Sequence, residues 1–348
     1  MKESGEPNYA LSFIAGIFGR DQRYTSALHP TTETVLFEAF SSSHQRVRAF
    51  SPRAIASFLA RRRWNNEIVH IHHPGRLTTI ISLLPVRSRL VYTPHRTYTP
   101  SNPLLGIGHD RMIRRRADVV VALSPAEADL IEARFSINRN RIAIIPNGFA
   151  LPDISLLERK RPLSGNPWRL LFVGQLVGVK RPMLLVELVS ALAKSHNVEL
   201  VLVSQNPELL DDMMVAARSY GVAHRIVFRG QLGPSALAAE YEEAHALLLP
   251  SYAEALPSVI IEAVKSGLPV VASDVGGVRW QLDGLGVCKA IASAEELVDA
   301  VRELLRNYDT YASESYLRAE SVVGRFSEIA MIEQHQELYR SLASEEMK

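Results

Sequence analysis

Two stretches of the sequence set charged residues where ligands carrying phosphate and hydroxyl groups are held. In the first, Leu170-Leu171-Phe172-Val173-Gly174-Gln175-Leu176-Val177-Gly178-Val179-Lys180-Arg181-Pro182 reads as a strand, a glycine-containing loop and a helix that begins at Pro182. Lys180 and Arg181 then stand at the positive end of that helix. Two cations beside unpaired N–H groups are most coherent with an anion such as a diphosphate between them; the alternative is a pair of side chains held off in solvent. In the second stretch, a strand ends at Pro250, a loop carries Glu254, and a helix runs from Pro257 to Gly267. Glu254 sits at the carboxyl end of a strand, and Glu262 lies within the helix on a polar stripe with Ser258 and Ser266. A carboxylate accepts sugar hydroxyls, and the free amides of Ala255 and Leu256 can hold phosphate or a developing negative leaving group. Read alone, Glu262 is an exposed helix glutamate.

These residues need parallel strands to carry them. Short β-branched runs alternate with helical patterns along the whole chain, which predicts parallel sheets covered on both faces. Strands are expected near 9–16, 46–50, 67–73, 88–93, 118–124 and 141–146, then at 169–173, 198–203, 225–229, 246–249 and 268–273. Helices are expected near 32–42, 52–64, 76–84, 104–116 and 125–135, then 182–194, 207–219, 235–244, 257–266 and 293–306. Ser51-Pro52 and Ser124-Pro125 each mark a helix start. The segment 147–168, rich in Pro, Gly, Asn and charge, reads as a linker. The domains are therefore 1–150, a linker over 151–168, 169–324, and a last helix over 325–348 that packs back toward the first domain. Two doubly wound domains of similar size face a cleft at the carboxyl ends of their strands, where ligands of such sheets bind.

Composition narrows the class. The 348 residues, 47% hydrophobic and 22% charged, make an ordinary globular chain of two cores, not a disordered or disulfide-stapled one. No apolar run is long enough to span a membrane, and the first residues lack a signal-peptide pattern, so the expected location is cytoplasmic. The lone cysteine, Cys288, excludes an internal disulfide and a cysteine cluster for zinc, and reads as a small buried apolar side chain. His70, His72 and His73 lie within one strand whose faces alternate, with no fourth ligand in view, and read as strand-end residues, with His72 or His73 lining the cleft. Asp211 and Asp212 read as solvent-facing.

The net charge of +2 divides unevenly: residues 1–160 hold 22 Lys and Arg against 13 Asp and Glu, and the remainder holds 17 against 24. Arg61-Arg62-Arg63 and Arg114-Arg115-Arg116 are either solvated helix ends or part of an interfacial surface that attracts an anionic membrane. No nucleic-acid motif accompanies them.

The second stretch resembles the signature of glycosyltransferase family 4, retaining nucleotide-sugar-dependent enzymes of GT-B architecture. Glu254 and Glu262 have the family's spacing and are followed by Gly267-Leu268-Pro269-Val270-Val271 and Gly276-Gly277. His70-Ile71-His72-His73, Thr93-Pro94-His95, Ala122-Leu123-Ser124, Ile145-Pro146-Asn147-Gly148, Phe172-Val173-Gly174 and Val227-Phe228-Arg229-Gly230 match in order, so that the resemblance covers roughly 67–285. It implies that Lys180 neutralises a donor diphosphate after Gly174, that Glu262 accepts ribose hydroxyls and that Glu254 binds the transferred sugar. Amides near Ala255 and Leu256 would steady sugar and phosphate, Gly230 would lie against the base, and His95 near the reacting sugar carbon. Departures are Gln175, where the family commonly has Arg, and Arg181, where it has Gly; Arg181 would supply the missing guanidinium or the donor would bind more weakly. Gly16 and Gly19 are the nearest candidates for the family's N-terminal glycine loop, on the acceptor side with His72 and His73. The function implied is transfer of a sugar from a nucleotide-diphosphate donor to a lipid-linked, polysaccharide or glycoside acceptor, at the inner membrane face if peripheral, without metal or other cofactor. The alternatives are a catalytically silent nucleotide- or partner-binding subunit and a nucleotide-sugar epimerase.

Overall fold

The computed structural model describes residues 10–14, 47–49, 67–72, 76–83, 89–95, 103–149 and 153–344. The chain forms two compact units, Met1–Ala150 with Ser327–Lys348, and Leu151–Phe326. The helices expected at 32–42 and 52–64, the Ser51-Pro52 start, Arg61-Arg62-Arg63, Gly16, Gly19 and His73 lie outside the described residues.

In the first unit the described strands are β1 (Ala10–Ile14), β2 (Val47–Ala49), β3 (Glu67–His72), β4 (Arg89–Thr93), β5 (Val119–Ala122) and β6 (Ile142–Ile144), paired in parallel in the order β2-β1-β3-β4-β5-β6. Period-two alternation assigns the sheet's faces. Val69, Ile71, Leu90, Tyr92 and Val120 pack with Ile81 of α1 (Arg76–Leu83), with Met112 and Ile113, and with Ile131 and Phe135 of α3 (Pro125–Phe135). Ile68, Val91, Val121 and Ile145 turn the other way, onto Met331, Tyr339 and Leu342. Those three belong to α11 (Glu328–Ser344), which follows the entire second unit in sequence and is part of the first unit's core. Ser124 caps α3 by accepting from the Glu127 amide at 3.2 Å, with Pro125 in the first turn. The expected helix at 104–116 splits into α2 (Pro103–Arg111) and a π turn over Met112–Arg116, which carries the three arginines. Gly108 lets α2 approach α1: a Cβ there would fall 2.2 Å from Thr79 Oγ1.

The second unit holds β7 (Trp168–Val173), β8 (Val198–Val203), β9 (Ile226–Gly230), β10 (Ala246–Leu249), β11 (Val270–Ser273) and β12 (Val287–Lys289), all parallel, in the order β12-β11-β10-β7-β8-β9. The chain winds outward from β7 one way and then from β10 the other, so the sheet's direction of winding reverses between these two neighbours. Helices α4 (Met183–Leu192), α5 (Leu210–Ser219) and α9 (Ala294–Arg306) bury Leu185, Val189, Met213, Leu297 and Val301 against Leu170, Phe172, Leu200, Leu202 and Leu248. Between these helices and across the other face run α6 (Pro234–Glu243), α7 (Ser258–Lys265), α8 (Val278–Leu282) and α10 (Tyr308–Gly324). Helices α8 and α10 and strand β12 are additional to the sequence expectation; each is short in apolar pattern or flanked by glycines. Residues 153–168 belong to this unit and include Arg159, which is buried and donates to the carbonyls of Ser266 at 2.7 Å and Glu242. Asp211 and Asp212 are exposed in the first turn of α5, and Cys288 is half-buried, its thiol pushed up to about 11 by burial. Among the described residues no helix is long and apolar enough to cross a membrane.

Candidate active site

The reversal in winding explains why residues distant in sequence meet. Strands β7 and β10 are hydrogen-bonded neighbours, with Leu170 opposite Ala246 and Leu171 opposite Leu247, so the loops that leave their carboxyl ends emerge side by side. A backbone bond joins them: the Tyr252 amide donates to the Val179 carbonyl at 2.7 Å. Lys180 on the first loop then reaches Glu254 on the second, Nζ to Oε1 at 2.5 Å, and Ser251 Oγ donates to the same oxygen at 2.6 Å. The Glu254 side chain is 8% exposed and that of Lys180 23%, so this ion pair is shielded from solvent more than a surface pair and its geometry is held on both sides.

Around Lys180 the local structure departs from the expected helix start. Gly178–Lys180 form a 3-10 turn, Arg181 takes a left-handed conformation with φ 51°, and Pro182 is the N-cap of α4. The Arg181 side chain is turned onto backbone carbonyls. Its Nε donates to the Pro250 carbonyl at 2.9 Å and its Nη2 to the Ile291 carbonyl at 2.5 Å, so the guanidinium braces the backbone where β10 ends. Gly174 ends β7 with its amide on the Val203 carbonyl at 3.0 Å. Gly230 ends β9 with φ 66° and nothing within 4 Å of a would-be Cβ, so conformation, not space, requires glycine there.

The loop that bears Glu254 is seated on the Gly276-Gly277 turn. Gly277 donates its amide to the Ala255 carbonyl at 2.9 Å, and a Cβ on Gly276 (φ 55°) would lie 1.8 Å from the Glu254 carbonyl oxygen. Among the described residues the amides of Ala255 and Leu256 donate to no protein acceptor, and they lie just ahead of α7. Glu262 is not the exposed helix glutamate its local sequence describes. It is buried at 3% exposure, and the hydroxyl of Tyr241, itself fully buried on α6, donates to its Oε2 at 2.7 Å. The stripe it shares with Ser266 faces protein, Ser266 donating to the Ala263 carbonyl at 2.8 Å. Burial and the neighbouring Glu262 carboxylate push the Tyr241 phenol well above its ordinary value, so it stays a donor. Ser251, Tyr241 and the position of the Gly-Gly turn were beyond sequence reasoning because each acts through a partner set by the fold, 21 residues away for Tyr241 and 22 for the turn.

In the first unit, His70 and His72 share the sheet face that α11 covers. Both are buried, and His95, just past β4, is half-buried with φ 52°. His72 Nδ1 lies 3.0 Å from His95 Nε2. Among the described residues no three His, Cys, Asp or Glu side chains are grouped to hold a metal ion.

Two family profiles match the chain in succession: "Glycosyltransferase Family 4" over residues 17–151 and "Glycosyl transferases group 1" over residues 153–317. The chain belongs to glycosyltransferase family 4. This family-4 chain is 28% identical over 285 residues to the D-inositol 3-phosphate glycosyltransferase of Actinosynnema mirum, a match that covers 78% of this chain and 62% of that protein. It spans between 55 and 62% of the length of eight curated relatives that it matches. Among solved structures, the sucrose-phosphate synthase of Thermosynechococcus elongatus superposes with TM-score 0.74 at 18% identity over 97% of this chain and all of that one. Anabaena Alr3699/HepE in complex with UDP superposes with TM-score 0.70, also at 18% identity, over 95% of this chain and all of that one. At such identity the superpositions establish the fold alone: α/β, with parallel sheets in two Rossmann-like halves.

Proposed function

We propose that the chain is a retaining glycosyltransferase that moves a hexose-type sugar from a nucleoside diphosphate donor to an acceptor hydroxyl. The observation that carries this reading is the Lys180–Glu254 pair at the point where the second sheet reverses its winding, with the buried Glu262 on the helix that follows the Glu254 loop. In the transfer, the bond between the sugar's anomeric carbon and the diphosphate oxygen breaks, an acceptor oxygen bonds to that carbon, and the acceptor's proton leaves with the departing diphosphate. Lys180 and the amides of Ala255 and Leu256 offset the charge that builds on the leaving group. Glu254 accepts hydroxyls of the sugar, Glu262 accepts hydroxyls of the ribose, Gly174 and Gly230 border the nucleotide, and His95 stands near the reacting carbon. The Lys180 ammonium and the amide dipoles serve the diphosphate in this scheme, so neither a metal nor another cofactor takes part.

UDP-sugars head the donor candidates because the Anabaena neighbours hold UDP and UDP-glucose. The basic balance of residues 1–160 favours an anionic or lipid-linked acceptor and, with it, a cytoplasmic protein that visits an anionic membrane face. A second reading, a subunit that binds nucleotide without transferring sugar, is favoured by Arg181, whose guanidinium is engaged by two backbone carbonyls where the family's phosphate loop has glycine.

Two measurements test these readings. Hydrolysis or transfer is assayed with UDP-, GDP- and ADP-sugars and several acceptors, and calorimetry with UDP and GDP compares wild type with Lys180→Ala and Glu262→Ala. Turnover of one donor, together with about ten- to hundredfold weaker nucleotide binding in both variants, is the expected result, since a hydrogen bond to a charged group is worth roughly 1.5–3 kcal/mol. Binding without turnover across the panel selects the silent subunit. Binding that ignores both substitutions removes the proposed site.

A further inference from the structure

On the α11 face of the first sheet, aromatic side chains form a connected ledge. The His70 and His72 rings lie 4.0 Å apart, and His72 stacks on His95 at 5.3 Å with 27° between planes. The Tyr339 hydroxyl meets His70 Nδ1 at 2.6 Å, His70 Nε2 meets Thr93 Oγ1 at 2.8 Å, and His72 Nδ1 meets His95 Nε2 at 3.0 Å. Two ring nitrogens at that distance share a single proton, one donating and the other accepting. In a neutral imidazole the second nitrogen takes the opposite role, so the partner of His95 Nε2 dictates whether its Nδ1 donates or accepts. His95 also holds a left-handed backbone conformation that a non-glycine residue keeps only where its surroundings enforce it. His72 cannot swing away, because it is buried, stacked on His95 and in ring contact with His70, which is anchored at both ring nitrogens. Burial first, then the neighbouring histidines, keeps the His70 imidazole well below its ordinary value and hence neutral, one ring nitrogen donating and the other accepting.

We propose that His72 is a positioning residue: without touching the sugar or the acceptor, it fixes the tautomer and ring orientation of His95, braced from behind by Tyr339, His70 and Thr93. The kinetic part of this inference rests on the reading of His95 as a residue at the reacting sugar. The test compares the full-length wild type with His72→Leu, which keeps the volume but removes the polar contact, and His72→Asn, which keeps a hydrogen-bonding group near the position of Nδ1. Imidazole ¹⁵N shifts are recorded for all three, with steady-state kinetics on the best donor and acceptor.

In wild type, His72 Nδ1 and His95 Nε2 should show one protonated and one unprotonated nitrogen, and His72→Leu should move the His95 shifts toward a tautomer average, with His72→Asn reversing the move. His72→Leu should lower kcat about tenfold or more with donor and acceptor KM changed less than about threefold, and His72→Asn should recover most of that loss. Tautomer-averaged shifts in wild type overturn the proposal without need of any variant, so a poorly folding His72→Leu does not shelter it. So do His95 shifts that ignore His72→Leu, equal kcat losses in both variants, or a raised acceptor KM with kcat intact, which would make His72 an acceptor contact. Should wild type transfer no sugar, the transferase reading fails, while the nitrogen shifts still decide whether His72 governs His95.

Discussion

At the scale of single residues, the second unit's site includes pairs in which one member is visible in a motif and the other is not. Glu262 is the clearest case. A helix glutamate flanked by Ser258 and Ser266 has the pattern of a solvated stripe, yet it is buried and oriented by Tyr241 from another helix. A carboxylate sequestered in this way is held in one orientation by the hydroxyl that donates to it. Tyr241→Phe removes only the hydroxyl and leaves the packed ring. It is expected to weaken nucleoside diphosphate binding about two- to tenfold and to lower the thermal midpoint, since a buried carboxylate loses a donor; calorimetry with UDP measures the first and a melting curve the second. An unchanged affinity would mean that Tyr241 supports the fold and not the orientation of Glu262.

At the scale of elements, strand register and turn geometry decide where the motifs point. The loop with Glu254 has its height set by the Gly276-Gly277 turn, which presses against its backbone. Gly276→Ala would add a methyl 1.8 Å from the Glu254 carbonyl at a φ of 55°, so the loop or the turn must move. Because the barrier to accommodation is local, the expected outcome is a loss of donor binding of about tenfold or more, with the spectrum of a folded protein retained. Calorimetry and circular dichroism on the same sample check it, and full donor affinity in this variant would show that the turn does not place Glu254.

At the scale of the whole molecule, two features predict behaviour. Helix α11 supplies Met331, Tyr339 and Leu342 to the first unit's core, although the second unit's residues separate it from that core in sequence. Truncation after Phe326 would bare Ile68, Val91, Val121 and Ile145. The first unit should then be cleaved rapidly in limited proteolysis, while residues 151–326, which carry Lys180, Glu254 and Glu262 with their own core, stay protected and still bind UDP. Equal protection of both units would contradict it. The second feature is acid sensitivity. Burial drives His109 and His335 in the first unit and His245 in the second down to about 4 from an ordinary 6.5. Between those values the unfolded chain binds protons that the folded chain refuses, so the stability these neutral histidines contribute is present above about pH 6.5 and is lost as pH falls toward 4. The thermal midpoint should be level near neutrality and fall steadily across that window; a flat profile would mean the histidines are hydrated.

The sequence alone carried the alternation of strands and helices, the serine cap of α3, and the order of motifs from His70 to Gly277, because periodicity and capping act over a few residues and leave a local trace. It also carried the seven-residue interval between Glu254 and Glu262, which a loop and one helix suffice to set. What it did not carry are pairings across long separations: Lys180 with Glu254, Tyr241 with Glu262, His72 with His95, and Tyr339 with His70, which is 269 residues away. Nor did it reveal that Arg181 braces backbone carbonyls, since a side chain's direction follows from the left-handed turn beneath it and from carbonyls that another strand delivers. Those outcomes belong to tertiary structure, because only strand order and register bring the ends of β7 and β10 side by side, and only packing decides which face of a helix is dry.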